Sequence, residues 1–135
     1  MIGRLHHIVL DCPDPLALAR FYSELLGQPV TFESEDWVVV ARDDTTSGLA
    51  FQLAPDHIAP QWPDPSRPQQ VHVDVMVDDV AAADSQVLAI GARRLSPPAD
   101  SMTADSASRV YADPAGHPFC VIPRPHWAPP IRSGR

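Results

Sequence analysis

"LHHIVLDCPDPLALARFYSELLG", residues 5 to 27, joins a β-branched apolar run, an Asp-Pro pair and an amphipathic segment closed by glycine. The run from Leu5 to Cys12 reads as a strand. Asp14 suits a helix N-cap and Pro15 the first helical position. Leu18, Phe21, Tyr22, Leu25 and Leu26 then recur at helical spacing until Gly27 supplies the stop.

The same order of signals returns later in the chain. "VHVDVMVDDV", residues 71 to 80, reads as a second strand. A second helix starts near Asp79, lines up Val80, Ala83, Val87 and Ile90 on one stripe, and ends at Gly91. Short strand signals follow each helix: "PVTFES", "DWVVVAR" and "GLAFQLAP" after the first, "ARRLS", "SRVYAD" and "HPFCVIP" after the second. Each half therefore reads β-α-β-β-β. Gly48, Phe51, Gln52 and Pro55 answer Gly116, Phe119, Cys120 and Pro123, which points to an internal duplication.

The five prolines of residues 55 to 70 exclude a regular helix or a central strand there. The expected organisation is a single domain over 1–135. Module one spans 4–55, a linker 56–69, module two 70–123, and a Pro-rich tail 124–135 that lies over the surface or frays. Residues 96 to 108 read as a mobile loop and a candidate lid.

A chain of 135 residues with 44% hydrophobic residues can build its own core without metal or disulfide staples. A net charge of −7 argues against nucleic acid and against an anionic membrane surface, so a small organic molecule or another protein is the expected partner. No stretch approaches the roughly 20 apolar residues of a transmembrane helix. The start lacks the apolar run of a secretory signal, so the expected compartment is the cytoplasm, where Cys12 and Cys120 stay thiols.

Strand parity sorts the polar residues. Val71, Val73, Val75 and Val77 form a face that should take the helix, leaving His72, Asp74 and Met76 on the other. In the first strand the same parity puts His6, Ile8 and Leu10 on the helix side and His7, Val9 and Asp11 opposite, so His6 reads as structural. Phe51 and Leu53, like Phe119 and Val121, belong to the apolar face. His7, Gln52, His72 and Cys120 are thus expected to converge, with Cys12 on the opposite side from Cys120. Gln52 can orient a ligand by hydrogen bonding, Trp37 and Trp62 can line an apolar pocket or pack as core, and His117, after the "DPAG" turn, is expected to be exposed.

With "VHVDVMVDDV" and "YADPAGHPFCVI" beside the opening stretch, the chain from about Leu5 to Pro123 resembles the vicinal oxygen chelate superfamily, which includes glyoxalase I, fosfomycin-resistance enzymes, extradiol dioxygenases and bleomycin-binding proteins. The resemblance implies an α+β fold of two βαβββ modules whose mixed sheets curve into a cup, with metal ligands on first and last strands. By position, His7 and His72 match the first-strand ligands. The usual last-strand Glu falls at Cys120, a departure from the family pattern. Two histidines and a thiolate with an open position suit Zn²⁺, and Asp74 or Asp11 could take the missing carboxylate's place.

The implied activity is that of a metal-dependent lyase, isomerase or transferase. It would work by Lewis-acid polarisation of substrate oxygens, with Asp74 as general base and Gln52, Met76 and Trp37 in the substrate pocket. The alternative is a metal-free protein that sequesters a small molecule. The resemblance also implies a homodimer.

Overall fold

Asp14 and Asp79 both cap helices. Each has extended backbone, and its carboxylate accepts the N–H three residues on: Ala17 at 3.1 Å in one case, Ala82 at 3.0 Å in the other. These helices belong to a computed structural model that describes residues 1–96 and 108–131. The chain divides into two compact units, Met1–Ile58 and Ala59–Arg135.

The first unit runs β1 (His7–Cys12), α1 (Pro15–Leu26), β2 (Val30–Glu33), β3 (Trp37–Val40) and β4 (Gly48–Leu53). The second runs β5 (Val73–Val77), α2 (Val80–Ala89), β6 (Arg93–Arg94), β7 (Arg109–Ala112) and β8 (Pro118–Pro123). Their sheets have orders β1-β4-β3-β2 and β5-β8-β7-β6. In each, the first and last strands of the unit pair in parallel and the remaining pairs are antiparallel. A parallel pair needs a crossover, which the helix and the next two strands supply. Both units are thus mixed four-stranded sheets of βαβββ order.

Packing follows the alternation of the strands. In the first unit α1 buries Leu18, Ala19, Phe21 and Tyr22, and Tyr22 stacks on Phe51 with centroids 5.4 Å apart and planes at 23°. The second unit repeats the contact from a different element, Tyr111 of β7 stacking on Phe119 at 5.6 Å and 25°. Phe51, Phe119 and Val121 are fully buried, whereas Gln52 is exposed and Cys120 half-buried. The other face of the first sheet is also covered in part, by a cluster of Val39, Ala41 and Ala50 with Trp37 packed against it.

Two glycines have clear reasons. Gly27 ends α1 at φ 63°, the left-handed conformation that spares glycine a steric penalty. Gly48 sits where a Cβ would come within 2.2 Å of the Val40 carbonyl oxygen, so only a hydrogen fits between β4 and β3.

Several expectations need correcting. His6 does not pack under the helix: it lies ahead of β1, exposed, its ring 4.1 Å from that of His7. Val71 also precedes its strand and is exposed. His117 is not exposed either. Its side chain is 15% accessible and its Nδ1 lies 2.8 Å from the fully buried carboxylate of Asp113, which also accepts the backbone N–H groups of Ala115 and His117. Closing the "DPAG" turn on that aspartate draws the histidine inward.

The tail is tied down through Ile131. The Asp78 carboxylate accepts from Arg124 and from the Ile131 N–H, Arg124 also donates to the Ala128 carbonyl, and Ala128 is buried. Of the candidate lid at 96–108, only Ser96 and Ser108 fall within the described residues.

Candidate functional site

The second unit gathers polar residues on the sheet face opposite α2. β5 is an edge strand, parallel to β8, with Asp74 opposite Cys120 and Met76 opposite Ile122. His72, one residue ahead of the strand, lies on the Asp74 side by parity. Its Nε2 stands 3.2 Å from Asp74 Oδ1. One donor atom each from His72, Asp74 and Cys120 lies within 4.8 Å of the others.

The electrostatics of the trio point one way. Burial pushes the Cys120 thiol up, and the neighbouring Asp74 carboxylate pushes it further by charge and hydrogen bonding. A thiol so placed is a poor free nucleophile, since the thiolate is the reactive form. A dication would reverse the balance, because it turns the Asp74 charge and a Cys120 thiolate from mutual repulsion into shared attraction. Bonds of about 2.0–2.3 Å to Zn²⁺ set tetrahedral donors roughly 3.3–3.8 Å apart, so side-chain closure on the order of 1 Å would complete the set and leave a fourth position open.

The first unit is arranged differently. Gln52 pairs in register with Asp11 on one side and Trp37 on the other, while His7 pairs with Gly48. His7 and Gln52 thus share a face but stand four residues apart along it, on the order of 13 Å. His7 accepts the Gly48 N–H at Nδ1, 3.0 Å away, and burial, then the neighbouring His6, hold its pKa below the usual value. It lines a cleft of about 290 Å³ with Arg4, His6, Asp44, Thr45 and Ser47. The wall of that cleft is set by Asp43, which accepts the Thr45 N–H at 2.9 Å and the Thr45 hydroxyl at 2.7 Å.

One cluster escaped the reading of the sequence. Asp84 of α2 accepts from the Tyr111 hydroxyl at 2.6 Å and from Arg94, and lies 3.6 Å from the buried Arg109 guanidinium. Burial pushes the Asp84 carboxyl up, but Arg94, Tyr111 and Arg109 outweigh it and hold the carboxyl below its ordinary value. Burial and Asp84 push Tyr111 up to about 12. The cluster fastens α2 to β6 and β7. No spacing rule could show it, because the partners meet only through helix-to-sheet docking.

Two βαβββ units of one topology, with polar residues on first and last strands, define a vicinal oxygen chelate fold. Residues 7–122 match the model of the glyoxalase-like domain, and the chain belongs to that family. Solved structures agree on the fold. A glyoxalase-related enzyme from Fulvimarina pelagi is 24% identical over 94% of this chain and 92% of its own, with a TM-score of 0.64. A glyoxalase/bleomycin resistance protein/dioxygenase family enzyme from Burkholderia phytofirmans PsJN is 16% identical over 90% and 98%, at 0.65. A bleomycin-binding protein in complex with bleomycin is 21% identical over 91% and 99%, at 0.55. No curated protein matches the chain. Among the described residues no helix is long and apolar enough to cross a membrane.

Proposed function

We propose that the protein acts on a small organic molecule with the help of a divalent metal, most compatibly Zn²⁺, bound by His72, Asp74 and Cys120. The closeness of these three donors is the observation that supports this reading. Together they offer one neutral nitrogen and two anionic groups, a set that offsets the charge of a dication and leaves room for a water or substrate oxygen. When bound, the metal supplies Lewis-acid polarisation of such an oxygen. In this reading Asp74 serves as a ligand and not as the general base, because its oxygen is one of the three converging donors. Met76, next along the same strand face and exposed, is suited to touch the substrate. A cytoplasmic location and a homodimer belong to the same proposal; light scattering on the purified chain tests the latter.

Protein purified without chelators should carry close to one equivalent of metal and gain thermal stability on adding Zn²⁺, with His72→Ala and Cys120→Ser each weakening binding roughly 10–100-fold. Less than about a tenth of an equivalent of any transition metal, with no stability gain, sinks the metalloenzyme reading.

A second reading, reversible sequestration without metal, is favoured by the thiol form of Cys120 and by the bleomycin-binding relatives. Recovery of a bound small molecule chemically unchanged after equilibrium dialysis would support it over the first.

A further inference from the structure

The hydrogen bond from Gly48 decides what His7 can do. A neutral imidazole has one N–H and one lone pair, and here the lone pair on Nδ1 accepts the Gly48 N–H at 3.0 Å. The ring proton therefore sits on Nε2. A metal at Nδ1 would have to displace the Gly48 N–H. A metal at Nε2 would send the proton to Nδ1, where two N–H groups would face each other. Gly48 has little freedom to withdraw, since it is paired with His7 in β1 and packed so closely on β3 that a Cβ would lie 2.2 Å from the Val40 oxygen. The first-strand ligand role that the family resemblance implies thus does not fit His7.

We infer that His7 is instead a hydrogen-bond donor in a binding cleft of the first unit, presenting Nε2–H to the carboxylate of a small hydroxy or amino acid. Arg4, His7, Asp44 and Ser47 are among the residues that line the cleft, which is about 290 Å³. Arg4 and Asp44 form no ion pair with any described residue. The planar guanidinium of Arg4 matches a carboxylate, and His7 Nε2–H adds a second donor for it. Asp44 repels a dianion such as phosphate but accepts from a hydroxyl or ammonium group next to the carboxylate. The Ser47 hydroxyl donates to the Leu5 carbonyl, so toward a ligand it too is an acceptor. Donors at Arg4 and His7 beside acceptors at Asp44 and Ser47 therefore suit a carboxylic acid that carries its own donor. This cleft lies in the first unit and goes beyond the reading above, which concerns the His72 cluster; it needs no metal there.

The test is a ring-nitrogen NMR experiment on the full-length, histidine-labelled protein at a pH where imidazole is neutral, alone and then with Zn²⁺, with lactate and with inorganic phosphate. His7 should appear as the Nε2–H tautomer, and Zn²⁺ should leave it unmoved. Lactate should shift its Nε2 signal saturably, and Arg4→Gln, at an exposed position that does not endanger folding, should weaken lactate binding roughly tenfold. An Nδ1–H tautomer, a His7 signal that follows Zn²⁺, phosphate binding as tight as lactate, or lactate binding that is absent or indifferent to Arg4→Gln would each overturn the assignment. Zn²⁺ that moves neither His7 nor His72 defeats the metal reading instead, while the tautomer and lactate results still decide this one.

Discussion

In the first unit β4 sets Gln52 opposite Asp11, and in the second β8 sets Cys120 opposite Asp74. The two last strands correspond, since Phe51 and Phe119 precede these residues and both carry a stacked tyrosine. The first strands do not. His72 lies two residues before the partner of Cys120, but the residue two before the partner of Gln52 is Val9, with His7 two further back. Measured from the helix caps, however, His7 and His72 stand equally far from Asp14 and Asp79. The copies therefore differ by a two-residue slip of strand against strand. Because side chains alternate with a period of two, the slip keeps every residue on its face and moves it roughly 7 Å along the strand. One copy collects histidine, aspartate and thiol; the other leaves its histidine beside Gly48.

The shared aromatic stack gives the largest expected effect. Phe51→Ala and Phe119→Ala should each destabilise by about 4 kcal/mol in urea unfolding, since both residues are fully buried on the helix side. Similar costs would mean that the two cores are energetically alike despite the slip. A gap above about 2 kcal/mol would extend the difference between the units from their polar faces to their cores.

Next in size is Asp84→Ala, at about 3 kcal/mol, because it strands the buried Arg109 guanidinium. The pH dependence has a definite sign. A carboxyl held below its ordinary pKa stabilises the fold above the unfolded value of about 3.9, and loses that contribution as pH falls through the native value. The gap between wild type and Asp84→Ala should therefore close on acidification. Tyr111 behaves oppositely: raised to about 12, it contributes fully below the ordinary tyrosine range and is lost as pH climbs through that value. Denaturation curves at acid, neutral and alkaline pH check both signs. A gap that stays constant down to acid pH would show that the carboxylate's charge is not what holds α2 in place.

The pattern of the chain reveals the helices, their caps and the strand faces because each depends on neighbours a few residues away. Asp14, Gly27 and Asp79 act as their local chemistry demands. Parity likewise puts Cys120 away from Phe119 and Val121. What the pattern does not contain is register between strands more than forty residues apart. Matching Gln52 to Cys120 and His7 to His72 is reasonable for each pair alone, but the ladders cannot satisfy both. Asp84 and the Asp113–His117 pair depend on the same kind of long-range or turn-closing contact.

Building the missing cluster in the first unit tests whether register assembles it, with the smallest expected cost in stability. V9H with Q52C places an imidazole and a thiol around Asp11 as His72 and Cys120 stand around Asp74. Val9 and Gln52 are exposed, so the double variant should change stability by no more than about 1 kcal/mol. If the second unit binds one equivalent of Zn²⁺ through its trio, the variant should bind two by elemental analysis. Q52C alone, which leaves the histidine two residues further back at His7, should stay at one. Equal stoichiometry in the two variants would mean that strand register does not assemble the site. Two equivalents in V9H/Q52C alone would mean that a slip of two residues is what separates a donor cluster from a plain strand.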